Sequence, residues 1–144
     1  PISPSGRVLL SDWDRSSLAR WYEEHGSDLP IVGPTDPEMA AIGFSVLSSP
    51  PEDKAVVRDF DSLLEELARI RTRGYATLDG ELEQGVVGAS APVRDLNGRI
   101  IAAINVSAPK ARIGNRLDGL GHYVATAAQE LSKQLGDLAT ADKA

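Results

Sequence analysis

Cysteine is absent from the 144 residues, and histidine occurs only at His25 and His122. The lack of thiols excludes disulfides, thiolate nucleophiles and cysteine metal sites. The two histidines fall in separate predicted helices, and no catalytic triad, metal-ligand spacing or phosphate-binding loop can be traced around them. The sequence therefore predicts a protein that is not an enzyme, with no catalytic residue, metal or cofactor.

Long apolar runs are also missing, and the 15 basic residues are fewer than the 21 acidic ones. No stretch approaches the ~18 apolar residues of a membrane span, and no secretory signal opens the sequence. We therefore expect a cytoplasmic protein with no membrane partner. The net charge is −6, whereas a DNA-binding surface needs concentrated Lys and Arg. Any contact with DNA would need a domain outside these residues.

What is present fits one globular domain over residues 1–144, since 42% of the residues are hydrophobic and 25% are charged. Helices are predicted over residues 6–11, from Asp14 to Gly26, from Ser62 to Gly74, and from about Asn115 to Leu135. Asp14 is a favourable N-cap, Ser62 and Glu65 are spaced as a capping box, and Gly136 is the predicted terminator of the last helix.

Residues 30–58 contain five prolines and predict no regular element. This segment is interpreted as a packed loop, a short helix over a pocket or a mobile lid, and the residues do not choose among these alternatives. The β-rich part of the chain follows it.

A β-hairpin is the clearest local feature. Two β-rich runs, residues 86–94 and 99–107, flank Asn97-Gly98, a typical two-residue hairpin turn. A short strand at Tyr75–Leu78 precedes them. With Asn97 and Gly98 as the turn, Gly88 lies opposite Ser107, and a slip by one residue would mix polar and apolar side chains on each face. The apolar face then holds Ala89, Ala91, Val93, Ala102, Ile104 and Val106, and the other face holds Gly88, Ser90, Pro92, Ala103, Asn105 and Ser107.

The second face of the hairpin allows two interpretations, a solvent-exposed surface or the floor of a ligand pocket. Solvent-facing strands usually carry Lys, Glu, Arg or Thr, and residues 88–92 and 101–107 contain none of them. Small residues leave volume, while Ser90, Asn105 and Ser107 offer hydrogen-bonding groups to a ligand. We favour the pocket floor.

The stretch Leu67 to Ser107 resembles the effector-binding domain of the IclR (isocitrate-lyase-regulator) family of bacterial transcription factors. The residues that carry the resemblance are Glu66–Ala76, Glu81, Gly85, Ala91–Asp95, Gly98-Arg99, Ala102–Ser107 and, nearer the start, Gly6–Leu10. The Arg-Gly-Tyr-Ala and Ala-Pro-Val-Arg-Asp elements, in this order and spacing, are the most specific of them.

The resemblance implies an α+β fold, a GAF-like antiparallel sheet flanked by helices. It also implies binding of a small organic acid, carboxylic or aromatic, that changes operator affinity within a homodimer or tetramer. Effector contacts would come from Leu78 or Asp79, Gly88, Asn105 and Ser107. With Ser90 added from the polar face of the hairpin, the candidate ligand-binding residues are Asp79, Gly88, Ser90, Asn105 and Ser107.

The sequence departs from the family pattern at the site and in its architecture. The family often has an acidic residue at Leu78, cysteine at Gly88 and serine at Asn105, so no relative's effector is carried over. Gly88 and Ala89 remove side-chain volume, which predicts a larger ligand such as an aromatic or dicarboxylic acid. The winged helix-turn-helix and the first strands of the effector domain are not found. Compared with the family pattern, the chain has roughly twenty extra residues within residues 30–58. We therefore expect a domain incomplete at its N-terminal side, with an open sheet edge.

Two other functions remain open at this stage. One is a GAF-like dimerisation module whose small-residue face packs against a partner, and the other is a generic metabolite-binding domain with no role in transcription. The GAF-fold sulfoxide reductases depend on cysteine, so the composition excludes them.

Overall fold

The computed structural model describes residues 3–25 and 55–141. The helices are α1 (Pro4–Leu10), α2 (Arg15–His25), α3 (Phe60–Arg73), α4 (Lys110–Ile113) and α5 (Leu117–Ala141), and the strands are β1 (Ala76–Asp79), β2 (Val86–Arg94) and β3 (Ile100–Pro109). The α+β expectation is confirmed. Most of the Pro-rich segment 30–58 lies outside the described residues, as does the stretch of its expected insertion. Within the described ranges, no helix combines the length and apolar content needed to cross a membrane.

The sheet is antiparallel with strand order β1-β2-β3, and helices cover both of its faces. On one face, α5 packs on an apolar cluster that includes Tyr75, Ala91 and Val124. On the other face lies α1, whose Val8 and Leu10 join a second cluster with residues of α2 and α3. The hairpin therefore lies between two separate apolar layers.

Helix α3 begins one turn earlier than predicted. Its N-cap is Asp59, whose carboxylate accepts the backbone N–H of Ser62 at 2.8 Å, while the Ser62 hydroxyl accepts the N–H of Asp59 at 3.0 Å. Ser62 is thus the fourth and last residue of the capping box (position N3) and not its first, because Asp59 is a better-placed acceptor one turn upstream. The predicted terminator, Gly74, is confirmed with a left-handed φ of 85°.

The predicted hairpin register is confirmed from Gly88 to Val93, where Gly88 pairs with Ser107 and Val93 with Ala102. The predicted two-residue turn is wrong. Asp95 and Arg99 close a three-residue loop through a 2.9 Å bond from the Asp95 N–H to the Arg99 carbonyl, with Gly98 at a φ of 77°. A register shift between Val93 and Arg94, where Ile101 has no partner, restores the predicted pairing.

The predicted apolar face is buried on β2 but not throughout β3. Ala89, Ala91 and Val93 are fully buried beneath α5, whereas Ala102 and Val106 are exposed. The reason is position: α5 packs mainly on β2, and β3 is the last strand in the sheet order.

The predicted end of the last helix at Gly136 is also wrong, because α5 continues to Ala141. Gly136 serves a packing role instead. A Cβ atom there would lie 3.0 Å from Cδ2 of Leu96, so the missing side chain lets the hairpin loop approach the helix.

Candidate functional site

Helix α1 lies across the hairpin face that the sequence predicts as a pocket floor. Ser3 caps the helix by accepting the Gly6 N–H at 3.1 Å, and Pro4 occupies the first turn, where its missing N–H costs nothing. Val8 is fully buried and anchors the helix to the second apolar cluster. The first turn of α1 is thereby held above β2 and β3.

A cavity of ≈ 170 Å³ lies between this first turn, the hairpin and the β1–β2 loop. Its walls are Ser3, Pro4, Ser5, Leu78, Leu82, Glu83, Val86, Val87, Gly88, Asn105 and Ser107. Most of this lining is apolar carbon, with hydroxyl and amide groups from three serines and one asparagine. Glu83 is the only ionisable side chain among these lining residues.

Three of the predicted site residues meet at this cavity. Gly88 pairs with Ser107 across the hairpin, and the side-chain amide of Asn105 donates to the Ser107 hydroxyl at 3.1 Å. A Cβ atom at position 88 would lie 3.4 Å from Cγ of Pro4 and 3.6 Å from Oγ of Ser107. A larger residue at position 88 would therefore press the floor against α1.

Two of the predicted residues lie beside the cavity and are not part of its lining. Asp79 ends β1, and its two carboxylate oxygens each accept from Nζ of Lys110 at 2.8 Å. Ser90 is fully buried beneath α1, where its hydroxyl donates to the Ile104 carbonyl at 2.8 Å and lies 3.3 Å from the Ser5 hydroxyl. Both side chains already have protein partners.

Sequence reasoning missed the contribution of α1 and of the β1–β2 loop. The first turn of α1, Ser3 to Ser5, is far from the hairpin in sequence. No local sequence pattern indicates that this turn packs over the hairpin. Leu78 could have been chosen over Asp79, because strand alternation places Leu78 opposite Gly88 and so on the same face. The small side chain of Ala89 does not enlarge the cavity as predicted, since Ala89 lies in the apolar cluster under α5.

The family model described as "Bacterial transcriptional regulator IclR C-terminal" matches residues 52–133. The Pca regulon regulatory protein of Pseudomonas putida is 35% identical over 108 residues, which cover 75% of this chain and 30% of that protein. The HTH-type transcriptional regulator BhcR of Paracoccus denitrificans is 42% identical over 72 residues, or 49% of this chain and 26% of BhcR. The chain thus spans about a quarter to a third of these relatives, which are named as regulators and not as enzymes.

Solved structures show the same arrangement. The repressor BlcR of Agobacterium tumefaciens superimposes with a TM-score of 0.69 at 28% identity, covering 94% of this chain and 47% of BlcR. A double mutant of the inducer-binding domain of PobR from Acinetobacter, solved as a complex with 3-hydroxybenzoic acid, gives a TM-score of 0.67 at 25% identity over 91% of this chain and 63% of that domain. Since the family match covers more than half of its length, the chain belongs to the IclR family of bacterial transcription regulators, as a C-terminal effector-binding domain.

Proposed function

We propose that this chain is the ligand-sensing domain of an IclR-type regulator, and that it binds a small organic acid in the cavity beneath α1. The observation that carries the proposal is that cavity: its floor holds Gly88, Asn105 and Ser107, and its cover is a separate helix. Asp79 and Ser90 would contribute indirectly, by holding the strands through their bonds to Lys110 and to the Ile104 carbonyl.

The size and lining of the cavity favour a single-ring acid. A volume of ≈ 170 Å³ is close to the ~150 Å³ that accommodates benzene. The lining serines and Asn105 can donate hydrogen bonds to a carboxylate, and Glu83 can accept one from a ligand hydroxyl. A hydroxybenzoic acid satisfies both requirements, and the 3-hydroxybenzoic acid complex of the PobR domain makes it a sensible first probe.

The proposed role in transcription follows from the family and not from the cavity itself. A ligand changes DNA affinity only if it binds one state of the domain more tightly than the other. The winged helix-turn-helix that would bind the operator is not among these residues, so the sensing domain would act through an attached DNA-binding domain. The regulator would work in the cytoplasm, where bacterial DNA lies. No catalytic step and no cofactor enter this proposal.

Binding can be tested on the chain itself by thermal shift and isothermal titration calorimetry. Hydroxybenzoic acids, benzoic acid, and two- and three-carbon acids would be compared. We expect a hydroxybenzoic acid to stabilise the protein, and Asn105→Leu to abolish that shift. Asn115→Leu, at an exposed asparagine away from the cavity lining, is the matched control. Equal shifts in both variants, or no shift with any acid, would count against the cavity as the effector site.

A second candidate function, a dimerisation module, is favoured by a different observation. Ile101 on β3 is 55% exposed, and β3 carries no charged residue from Ile100 to Pro109. A sheet edge of this kind readily pairs with another strand. If Asn105→Leu dissociates a dimer, the packing role is supported; if the dimer persists while ligand binding is lost, the sensor is supported.

A further inference from the structure

A buried ion pair joins the two segments that enclose the cavity. Arg7 of α1 donates from Nη2 to Oε2 of Glu81 at 2.7 Å and from Nη1 to Oε1 at 3.3 Å. The exposed fractions of the two side chains are only 2% and 6%. Both ends of the carboxylate are therefore engaged in a two-point contact, which fixes orientation as well as distance.

Arg7 and Glu81 each lie next to a wall of the cavity, and the two walls come from distant parts of the sequence. Arg7 is one turn along α1 from Pro4, and Glu81 directly precedes Leu82 and Glu83 in the β1–β2 loop. Oε2 of Glu81 also accepts the Val56 N–H at 3.2 Å. One carboxylate thus connects α1, the β1–β2 loop and the segment that leads into α3.

Stability alone is a weak reason for such a pair, since burying two charges costs desolvation free energy that their attraction often only offsets. Apolar contacts of Val8 hold α1 on the core, but such contacts are not directional. A seven-residue helix is also too short to keep its place without tertiary contacts. The ion pair gives this helix a directional contact with the loop opposite.

We propose that Arg7 and Glu81 are positioning residues of the ligand site, which hold α1 and the β1–β2 loop at a defined separation across the cavity. The proposal rests on the proposed function only in treating the cavity as the ligand site. Its test does not need a ligand, so the two can fail separately.

The absence of cysteine allows a direct measurement of how firmly α1 is held. Ser90 is fully buried beneath α1, so the variant Ser90→Cys places a single thiol there. Its rate of reaction with 5,5′-dithiobis(2-nitrobenzoic acid) reports how often the helix moves away. In this background, Arg7→Met with Glu81→Leu removes the pair and leaves apolar side chains. Arg73→Met with Glu66→Leu is the control, because it removes an ion pair on α3 whose carboxylate is as buried as that of Glu81, with the more exposed Arg73 as its partner.

We expect the first double variant to react about tenfold faster at an unchanged melting temperature, and the control to react at the parental rate. Equal rates in the first double variant and its parent would overturn the proposal and leave the pair a purely structural contact. If the double variant does not fold, Arg7→Lys keeps the charge and loses the two-point contact. Faster reaction of this variant supports the proposal, and the parental rate overturns it.

A ligand arm separates this proposal from the proposed function. If a hydroxybenzoic acid binds, Arg7→Lys should weaken its affinity several-fold, while Arg73→Lys should not. If no acid binds, the proposed function fails, and the thiol reaction rates still decide the positioning role.

Discussion

At the scale of single residues, the absence of a side chain at position 121 decides how α5 meets the sheet. A Cβ atom there would overlap Cε2 of Tyr75, whose ring is buried against the helix and packs edge-on against His122. Burial, together with the nearby Asp118 carboxylate, raises the pKa of the Tyr75 hydroxyl. The tyrosine thus fills the space that Gly121 leaves.

Gly121→Ala should lower the free energy of unfolding by about 1–3 kcal/mol, because the aromatic ring has to shift out of a packed site. Gly119→Ala is the matched control on the same helix: a Cβ atom there meets nothing within 4 Å, and the better helix propensity should stabilise the protein slightly. Urea denaturation measures both changes. If the two substitutions changed the free energy of unfolding equally, the packing of Tyr75 would not depend on the missing side chain of Gly121.

At the scale of elements, the hairpin loop needs the backbone conformation that Gly98 adopts, and not the space that its missing side chain leaves. No atom would contact a Cβ there, but the residue has a φ of 77°. Gly98→Ala should therefore destabilise the protein by about 1 kcal/mol through backbone strain alone. Gly98→Asn should cost less, because asparagine tolerates the left-handed region. Equal losses of stability in chemical denaturation would contradict this explanation.

The start of α3 should respond to acid. Hydrogen bonds from the backbone and side chain of Ser62 lower the pKa of Asp59 below its ordinary value of 3.8. A carboxylate whose pKa is lower in the folded state contributes stability above the unfolded-state pKa, and loses it as pH falls through the folded-state pKa. Asp59→Asn retains a hydrogen-bond acceptor but does not titrate.

The melting temperatures of the parent and Asp59→Asn should therefore run parallel near neutral pH. The parent should fall more steeply than the variant below about pH 4. Thermal unfolding followed by circular dichroism at a series of pH values measures the difference. If the melting temperatures of the two proteins fell equally below about pH 4, the capping carboxylate would not contribute to acid unfolding.

At the scale of the whole molecule, β3 and the C-terminal half of α5 leave large apolar side chains exposed. Ile101 is 55% exposed, and Leu131 and Leu138 are 38% and 65% exposed. The sequence pattern places Leu131 and Leu135 on the apolar face of the last helix, but the two side chains are 38% and 36% exposed. Exposed apolar surface of this kind usually marks an interface.

We expect the chain to self-associate through the β3 edge, and Ile101→Lys to shift it toward the monomer. Lysine on an exposed strand edge opposes edge-to-edge pairing. Tyr123→Lys, at an exposed aromatic residue on α5, is the control and should leave the association unchanged. Sedimentation velocity over a range of concentrations measures both. A monomer at every concentration would contradict the expectation.

The sequence by itself determined the features that depend on neighbouring residues. The helix start at Asp14, the left-handed end at Gly74 and the central hairpin register follow from local hydrogen bonds and from the alternation of faces. The same local information misjudged Gly136, because a glycine that ends a helix and one that admits a neighbouring Leu96 look alike in sequence.

Only the tertiary structure decided what covers each face of the hairpin. That α1 packs over Gly88 and lines one cavity with Asn105 and Ser107, and that Arg7 contacts Glu81, depends on contacts between residues up to about 100 positions apart. No local pattern encodes such contacts, since apolar burial is not directional and many packings satisfy the same alternation. The polar face of the hairpin was thus evident from the sequence, whereas the cavity along it, at which Asn105 and Ser107 stay exposed, came from the packing of the first helix.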